Sequence, residues 1–300
     1  EEYLQAIEST GVRGIIVADP LIIETCRRVA PNLEIHLSTQ QSLSNWKAVK
    51  YWKDEGLHRV VLAREVGAEE MKKMKEEVDI EIEAFVHGAM CIAYSGRCVL
   101  SNHMTARDSN RGGCCQSCRW DYDLYEEKDG QEVALFNEGD APFAMSPKDL
   151  KLIESIPHMI ELGIDSLKVE GRMKSIHYVA TVISVYRKVI DAYCADPENF
   201  QIKKEWLDEL SRCAIRPAAS SFFEGEPSYK QQMFGFHASK PKWDFAGLVL
   251  DYDQETQIVT LEQRNYFKPG DTVEFFGPEI DTFQMVVGQL WDEDGAELDV

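Results

Sequence analysis

The sequence predicts an α/β protein. Its main part reads as a TIM-like (β/α) barrel lacking its first strands, followed by a small C-terminal antiparallel β-barrel domain. Three observations predict this. β-rich runs recur roughly every 20–25 residues with helical stretches between them, the rhythm of a parallel sheet covered by helices. No GxGxxG follows the first run, which argues against a doubly wound dinucleotide fold. From about residue 244 the pattern switches to short alternating runs separated by turns.

The elements follow in order. EEYLQAIESTG is a helix with no strand before it. GIIVAD (14–19) is strand-like and LIIETCRRVA has helical spacing. EIHLST (34–39) is the next strand, and LSNWKAVKYWKDEG is a helix closed by Gly56 as C-cap. RVVLARE (59–65) precedes the charged helix VGAEEMKKMKEEV, and IEIEAFVHG (80–88) is again a strand. DYDLYEEKDGQEVALFNE reads as an inserted hairpin. FAMSPKDLKLIESIPHMIELG reads as a short strand and a helix, with Ser146 as N-cap and Pro147 at the first helical position. SLKVEG (166–171) is a strand and SIHYVATVISVYRKVIDAYCAD a long helix. About six β/α units result, so an eight-stranded barrel requires further units upstream. The expected organisation is a barrel over 1–196 with a Cys-rich insert at 88–140, a helical and loop connector over 197–243, and the small β-barrel over 244–300.

The 300 residues are 44% hydrophobic and 28% charged, ample material for a core. No run of about 18 apolar residues exists and no secretion signal is visible, so no membrane partner and a cytoplasmic location are expected. The net charge of −20 repels phosphate backbones, and any work on nucleic acid demands a local basic patch.

Five of the eight cysteines lie between Cys91 and Cys118, in EAFVHGAMCIAYSGRCVLS and RGGCCQSCRW. Chance burial, disulfides, zinc and an iron–sulfur cluster compete as explanations. The spacing Cys91-x6-Cys98-x15-Cys114-Cys115-x2-Cys118 fits no common zinc pattern, and four thiolates on a cluster tolerate irregular spacing. The segment follows strand 80–87 directly, and therefore sits at the C-terminal end of the sheet where barrel enzymes place their chemistry. His36, Ser38, Thr39 and Gln40 end another strand at the same mouth. Glu83 and His87 lie four apart on one face of the strand leading to Cys91; a buried carboxylate there needs a cationic partner, and either residue suits proton relay.

At these residues the chain resembles the U32 family, long labelled collagenase-like peptidases. Glu83, Phe85, Gly88, Ala89, Met90, Cys91, Gly96, Cys98, Leu100 and Ser101 match its signature, and NRGGCCQSCRWDY, SLKVEGRMKS and HLSTQ look like its other motifs. The resemblance covers roughly residues 1–240. It implies an oxygen-independent hydroxylase with a [4Fe-4S] cluster on four cysteines, acting on tRNA wobble uridine, ribosomal RNA cytidine or ubiquinone precursors. The RNA-modifying branch is the most similar, and its tRNA members use prephenate as the hydroxyl source. Carried over, the ligands are Cys91, Cys98, Cys114 and Cys118, with Cys115 a vicinal extra thiol that competes with Cys114. Arg107, Arg111 and Arg119 flank the thiols, while Lys168, Glu170, Arg172 and Lys174 end a later strand. Such cations suit a dicarboxylate like prephenate or RNA phosphates, and Trp120 and Tyr122 suit stacking on a base.

Expected, then, is a tRNA hydroxylase making 5-hydroxyuridine, with Glu83 and His87 as catalytic candidates and His36, Ser38, Gln40, Arg107, Arg111, Arg119, Lys168, Glu170 and Arg172 binding substrate. An rRNA hydroxylase of the same family, a peptidase and a scaffold subunit are the alternatives. A peptidase finds no HExxH or GxSxG here, and a Cys91–His87 nucleophile pair leaves the other thiols unexplained. The sequence does not fix the oligomeric state.

Overall fold

The computed structural model describes residues 1–299 except 121, 123, 124, 129, 135–144, 234–242, 278 and 279. In chain order the elements are α1 (Glu2–Ser9), β1 (Gly14–Val17), α2 (Pro20–Val29), β2 (Glu34–Leu37), α3 (Trp46–Asp54), β3 (Arg59–Val61), α4 (Ala68–Glu77), β4 (Glu81–Gly88), α5 (Leu100–Thr105), β5 (Tyr125–Lys128), β6 (Gln131–Ala134), β7 (Asp149–Lys151), α6 (Ile156–Glu161), β8 (Ser166–Val169), α7 (Ile176–Ala195), α8 (Lys204–Cys213), β9 (Ala218–Ala219), β10 (Gly247–Asp253), β11 (Ile258–Gln263), β12 (Thr272–Gly277), β13 (Ile280–Val286), β14 (Leu290–Trp291) and β15 (Glu297–Leu298).

The chain divides into two compact units. The first comprises residues 1–174, 189–202 and 215–239; the second comprises 175–188, 203–214 and 240–300. The first is built on one sheet, in which β1, β2, β3, β4 and β8 lie side by side in parallel. Each of these strands pairs with the next one of the series, and helices fill the connections, so the sheet is singly wound. Antiparallel β7 joins the end of β4 at His87 and Gly88, and β9 runs parallel to β7. The strands do not close into a barrel among the described residues.

Local chemistry accounts for the elements. Asp19 caps α2, accepting from the Leu21 and Ile22 amides, with Pro20 at the first helical position where its missing N–H is harmless. Asn45 caps α3 by accepting from the Ala48 amide. Gly56 follows α3 at φ +80°, the left-handed backbone that a Gly stop supplies.

The two faces of the sheet differ. Ile35, Leu37, Val60, Leu62, Ile82, Ala84 and Val86 point one way and are buried, alongside helix residues such as Ile23, Val49, Met74, Ile156 and Met159. Register places Glu34, His36, Arg59, Glu81, Glu83, Ser166 and Lys168 on the opposite face, as a polar row crossing four strands.

The run after Ser146 corrects an expectation. Ser146 caps no helix: it is buried, and its hydroxyl accepts from the Arg216 guanidinium. Pro147 bridges Gln232, and Asp149–Lys151 is a strand, because the end of β4 offers it a ladder. The helix α6 starts only at Ile156, with Pro157 in its first turn. Of the strand expected at 143–145, residues 143 and 144 lie outside the described residues. The expected hairpin is present as β5 and β6, turning at Gly130 with φ +75°; its end lies outside them too.

In the second unit, β10 with β11, β12 with β13, and β14 with β15 form three two-stranded antiparallel ladders. This is a small antiparallel β domain, and no closed barrel is formed among the described residues. Phe275 and Phe283 stack across β12 and β13 at 5.2 Å between centroids.

Candidate functional site

The thiol segment leaves β4 at the C-terminal ends of the parallel strands and is seated there by two glycines. Gly88 has φ +105°, and a Cβ on it would lie 2.2 Å from the Glu170 carbonyl oxygen. Gly96 has φ +74°, and a Cβ on it would lie 1.9 Å from that of Gln40. Only glycine permits both the backbone and the approach. Polar contacts complete the seat. The Ser95 amide donates to Glu65 Oε1 at 2.7 Å, and Ser95 Oγ accepts from the Arg64 amide at 3.1 Å. Ser42 donates to the Ser95 carbonyl and Ser109 to that of Cys98. Gln40 Nε2 donates to the Ser109 carbonyl at 3.1 Å.

The five thiols sort into four and one. Cys91 and Cys118 each feel the charge of Cys98 and Cys114, and Cys118 also feels Cys91. Burial pushes the Cys118 thiol up to about 11, against the pull of Arg119. Cys91 is exposed. Its surroundings push its thiol up, Arg64 pulls it down, and Glu65 and the neighbouring thiols push it up again.

Cys115 turns elsewhere. Its Sγ lies 3.2 Å from Ser101 Oγ and 3.5 Å from Thr105 Oγ1, and hydrogen bonds from these hydroxyls lower its thiol to about 7. Among the described residues no three His, Cys, Asp or Glu side chains are close enough to grip one metal ion. A single zinc needs sulfurs about 2.3 Å from it, whereas the corners of an iron–sulfur cube hold their thiolates farther apart.

The cations expected to meet substrate are mostly engaged by the protein. Lys168 Nζ lies 2.5 Å from Glu83 Oε1, while Ser166 donates to Oε2 at 2.9 Å and Arg59 at 3.3 Å. Burial pushes the Glu83 carboxyl up, but these donors outweigh it and hold it below the usual carboxylate range. Arg59 also pairs with Glu81 at 2.6 Å. Arg64 meets Glu170 at 3.4 Å and stacks on Phe85 at 3.8 Å. Arg172 donates to the carbonyls of Gly112, at 2.6 Å, and Cys114. Arg119 and Lys174 both face Asp149, at 2.7 and 3.3 Å. The run Lys168, Glu170, Arg172, Lys174 thus reaches four different segments at alternate positions.

Asp149, Arg64 and Arg59 were not anticipated from the sequence. The Ser-Pro-Lys-Asp run imitates a helix start, and the two arginines become partners only through sheet register. Arg107 and Arg111 are exposed, and no ion pair engages either among the described residues.

The remaining candidates have local partners. His36 Nε2 lies 3.3 Å from Glu34 Oε2, and Ser38 accepts from the Gln40 amide at 3.2 Å. Thr39 donates to the Leu62 carbonyl at 2.9 Å. His87 is buried, which lowers its imidazole to about 4; Asp149 opposes this, and Lys174 and Lys151 reinforce it. It is therefore neutral near pH 7. Trp120 is exposed, and Tyr122 donates to the Ser117 carbonyl at 2.7 Å.

Fold and site together define an α/β protein with a clustered-thiol loop at the C-terminal ends of its parallel strands. The chain belongs to peptidase family U32: the family's profile matches residues 1–233 and that of its C-terminal domain residues 241–300. It is 75% identical over 299 residues, 100% of this chain and 71% of the relative, to "tRNA hydroxylation protein P1" of Bacillus subtilis (strain 168). It is 31% identical to "tRNA hydroxylation protein P" of Escherichia coli (strain K12), over 92% of this chain and 69% of the relative. It is also 31% identical to "Collagenase" of Porphyromonas gingivalis (strain ATCC BAA-308 / W83), over 92% and 68%. Among solved structures it matches the C-terminal domain of a Geobacillus thermoleovorans U32 protein at 67% identity, over 18% of this chain and 62% of that one, with a TM-score of 0.18.

Proposed function

We propose that this protein is an iron–sulfur-dependent, oxygen-independent tRNA hydroxylase that converts wobble uridine to 5-hydroxyuridine with prephenate as the hydroxyl donor. The observation that carries the tRNA assignment is the 75% identity, along the whole chain, to a relative named for tRNA hydroxylation. The cofactor and site roles rest on the residues, and the donor on the family resemblance alone. Cys91, Cys98, Cys114 and Cys118 would hold a [4Fe-4S] cluster, a reading supported by the charge of Cys98 and Cys114 acting on both Cys91 and Cys118, while Cys115 Sγ lies against Ser101 Oγ. When bound, the cluster supplies Lewis-acid and one-electron chemistry at the end of β4.

The protein's own residues do the rest. Residues 91–120 carry four arginines against one aspartate in a chain of net −20, the local positive patch that RNA demands. Of the substrate-binding cations the sequence singled out, Arg107 and Arg111 are left to take RNA phosphates or the donor's carboxylates. Exposed Trp120 offers a stacking face for a splayed base. Glu83 orients Lys168 and Arg59, and neutral His87 offers an N–H and a lone pair without a charge. The parallel order β1-β2-β3-β4-β8 supports reading the sheet as a portion of a (β/α)₈ barrel with this site at its mouth. A tRNA substrate supports a cytoplasmic location.

The collagenase name of one relative favours a cysteine peptidase instead. A His87 held at about 4 is a poor base for a thiol that burial has pushed up. The test is mass spectrometry of tRNA nucleosides from cells lacking the gene and complemented with wild type or Cys91→Ala. Wild type restoring 5-hydroxyuridine while the variant does not supports the proposal; an unchanged nucleoside profile in the deletion overturns it.

A further inference from the structure

We propose that Asp149 is a positioning residue for the thiol site, acting from a strand that carries none of the thiols. The proposal rests on the cluster reading above and names what sets the later thiol pair. Asp149 pairs with two cations from different parts of the chain, accepting a hydrogen bond from Lys174 and meeting Arg119 by charge alone. Arg119 follows Cys118 directly, and Lys174 lies beyond β8. All three side chains are more than nine-tenths buried, at 7% exposure for Asp149, 9% for Arg119 and 6% for Lys174. Water therefore does not readily replace a lost partner, and removing the Asp149 charge leaves two buried cations without the carboxylate between them.

Cys114, at the other end of the pair, is fixed by the same run of chain. Arg172, two residues before Lys174, donates to the carbonyls of Gly112 and Cys114. The Cys114–Cys118 segment is thus gripped at both ends from Arg172 and Lys174. Asp149 is the piece that lets the second grip exist, since two cations do not hold each other. It also lies in the strand that meets the end of β4, the strand that delivers Cys91. One carboxylate thereby ties the early and late thiols to a common frame.

The test compares Asp149→Asn, Asp149→Glu and Arg172→Lys with wild type as full chains purified without air. Circular dichroism checks the fold. Iodoacetamide labelling of the metal-free protein, read peptide by peptide, reports how firmly each thiol is held. Iron bound after incubation with ferrous iron and sulfide reports the assembled site. In Asp149→Asn we expect Cys118 to label on the order of tenfold faster, as a loosened local opening equilibrium requires, with Cys26 unchanged and iron content reduced. Asp149→Glu, which keeps the charge, is expected to recover most of both. Arg172→Lys, a point donor that cannot span two carbonyls, is expected to speed labelling of Cys114 more than of Cys118.

A folded Asp149→Asn with the wild-type labelling pattern overturns the proposal. So does a uniform acceleration at every cysteine, which marks general destabilisation. If Asp149→Asn does not fold, Asp149→Glu decides: residual acceleration confined to Cys118 supports the proposal, and wild-type or uniformly raised labelling overturns it. Wild type that binds no iron sinks the cluster reading alone, because the labelling pattern tests the grip without metal.

Discussion

Cys115 stands beside Cys114 and meets a different environment, bonded to Ser101 and Thr105. Cys91→Ala or Cys98→Ala is therefore expected to abolish bound iron and broad visible absorbance, while Cys115→Ala keeps both; metal analysis of anaerobically purified protein checks this. His87 gives a second expectation. Its folded value of about 4 lies below the roughly 6.5 of an unfolded chain, so between these values the unfolded state takes up a proton that the fold refuses. Stability should fall as pH drops through that window, by at most about 3 kcal/mol. Urea midpoints at several pH values should show a shallower slope for His87→Gln. The chemical types at the site were legible because thiols crowded into one segment stand out in any chain. Asp149 was not, because nothing local distinguishes a buried carboxylate from a surface one until Arg119 and Lys174 arrive from other segments.

The strands β1 to β4 and β8 begin where the alternation of apolar runs puts them, within a residue or so. Periodicity reads well where burial on both sheet faces or one helix face repeats along the chain. It fails at β7, a strand of three residues whose extended form comes from pairing with β4 rather than from its own pattern. The docking of the thiol loop is another element-scale property. Gly96→Ala drives a methyl into the Gln40 backbone and forces a left-handed residue to carry a side chain. A destabilisation of about 3 kcal/mol is expected, with loss of bound iron at temperatures where Gly112→Ala, which has open space around it, still folds. Thermal melts of the two variants give the comparison.

Across the whole molecule charge is unevenly spread. Residues 244–300 hold fourteen acidic residues against Arg264 and Lys268, whereas the thiol segment is net positive. tRNA binding through that segment should weaken steeply with salt. Arg107→Ala and Arg111→Ala should each lower the log–log salt slope by about 1 without altering the melt, which fluorescence titration at several ionic strengths measures. How β4, β7 and β8 come together was only partly readable, because pairing between distant segments leaves no local trace. The run from Lys168 to Lys174 has a further implication, for synthesis. Cys118 leaves the ribosome about 50 residues before it and Cys91 about 77, an interval of several seconds at roughly 5–20 residues per second. During that interval the nascent sulfurs lack their scaffold, so a cluster held by them would load only after about 174 residues of translation, and the bare thiols would meet oxygen at the polysome first.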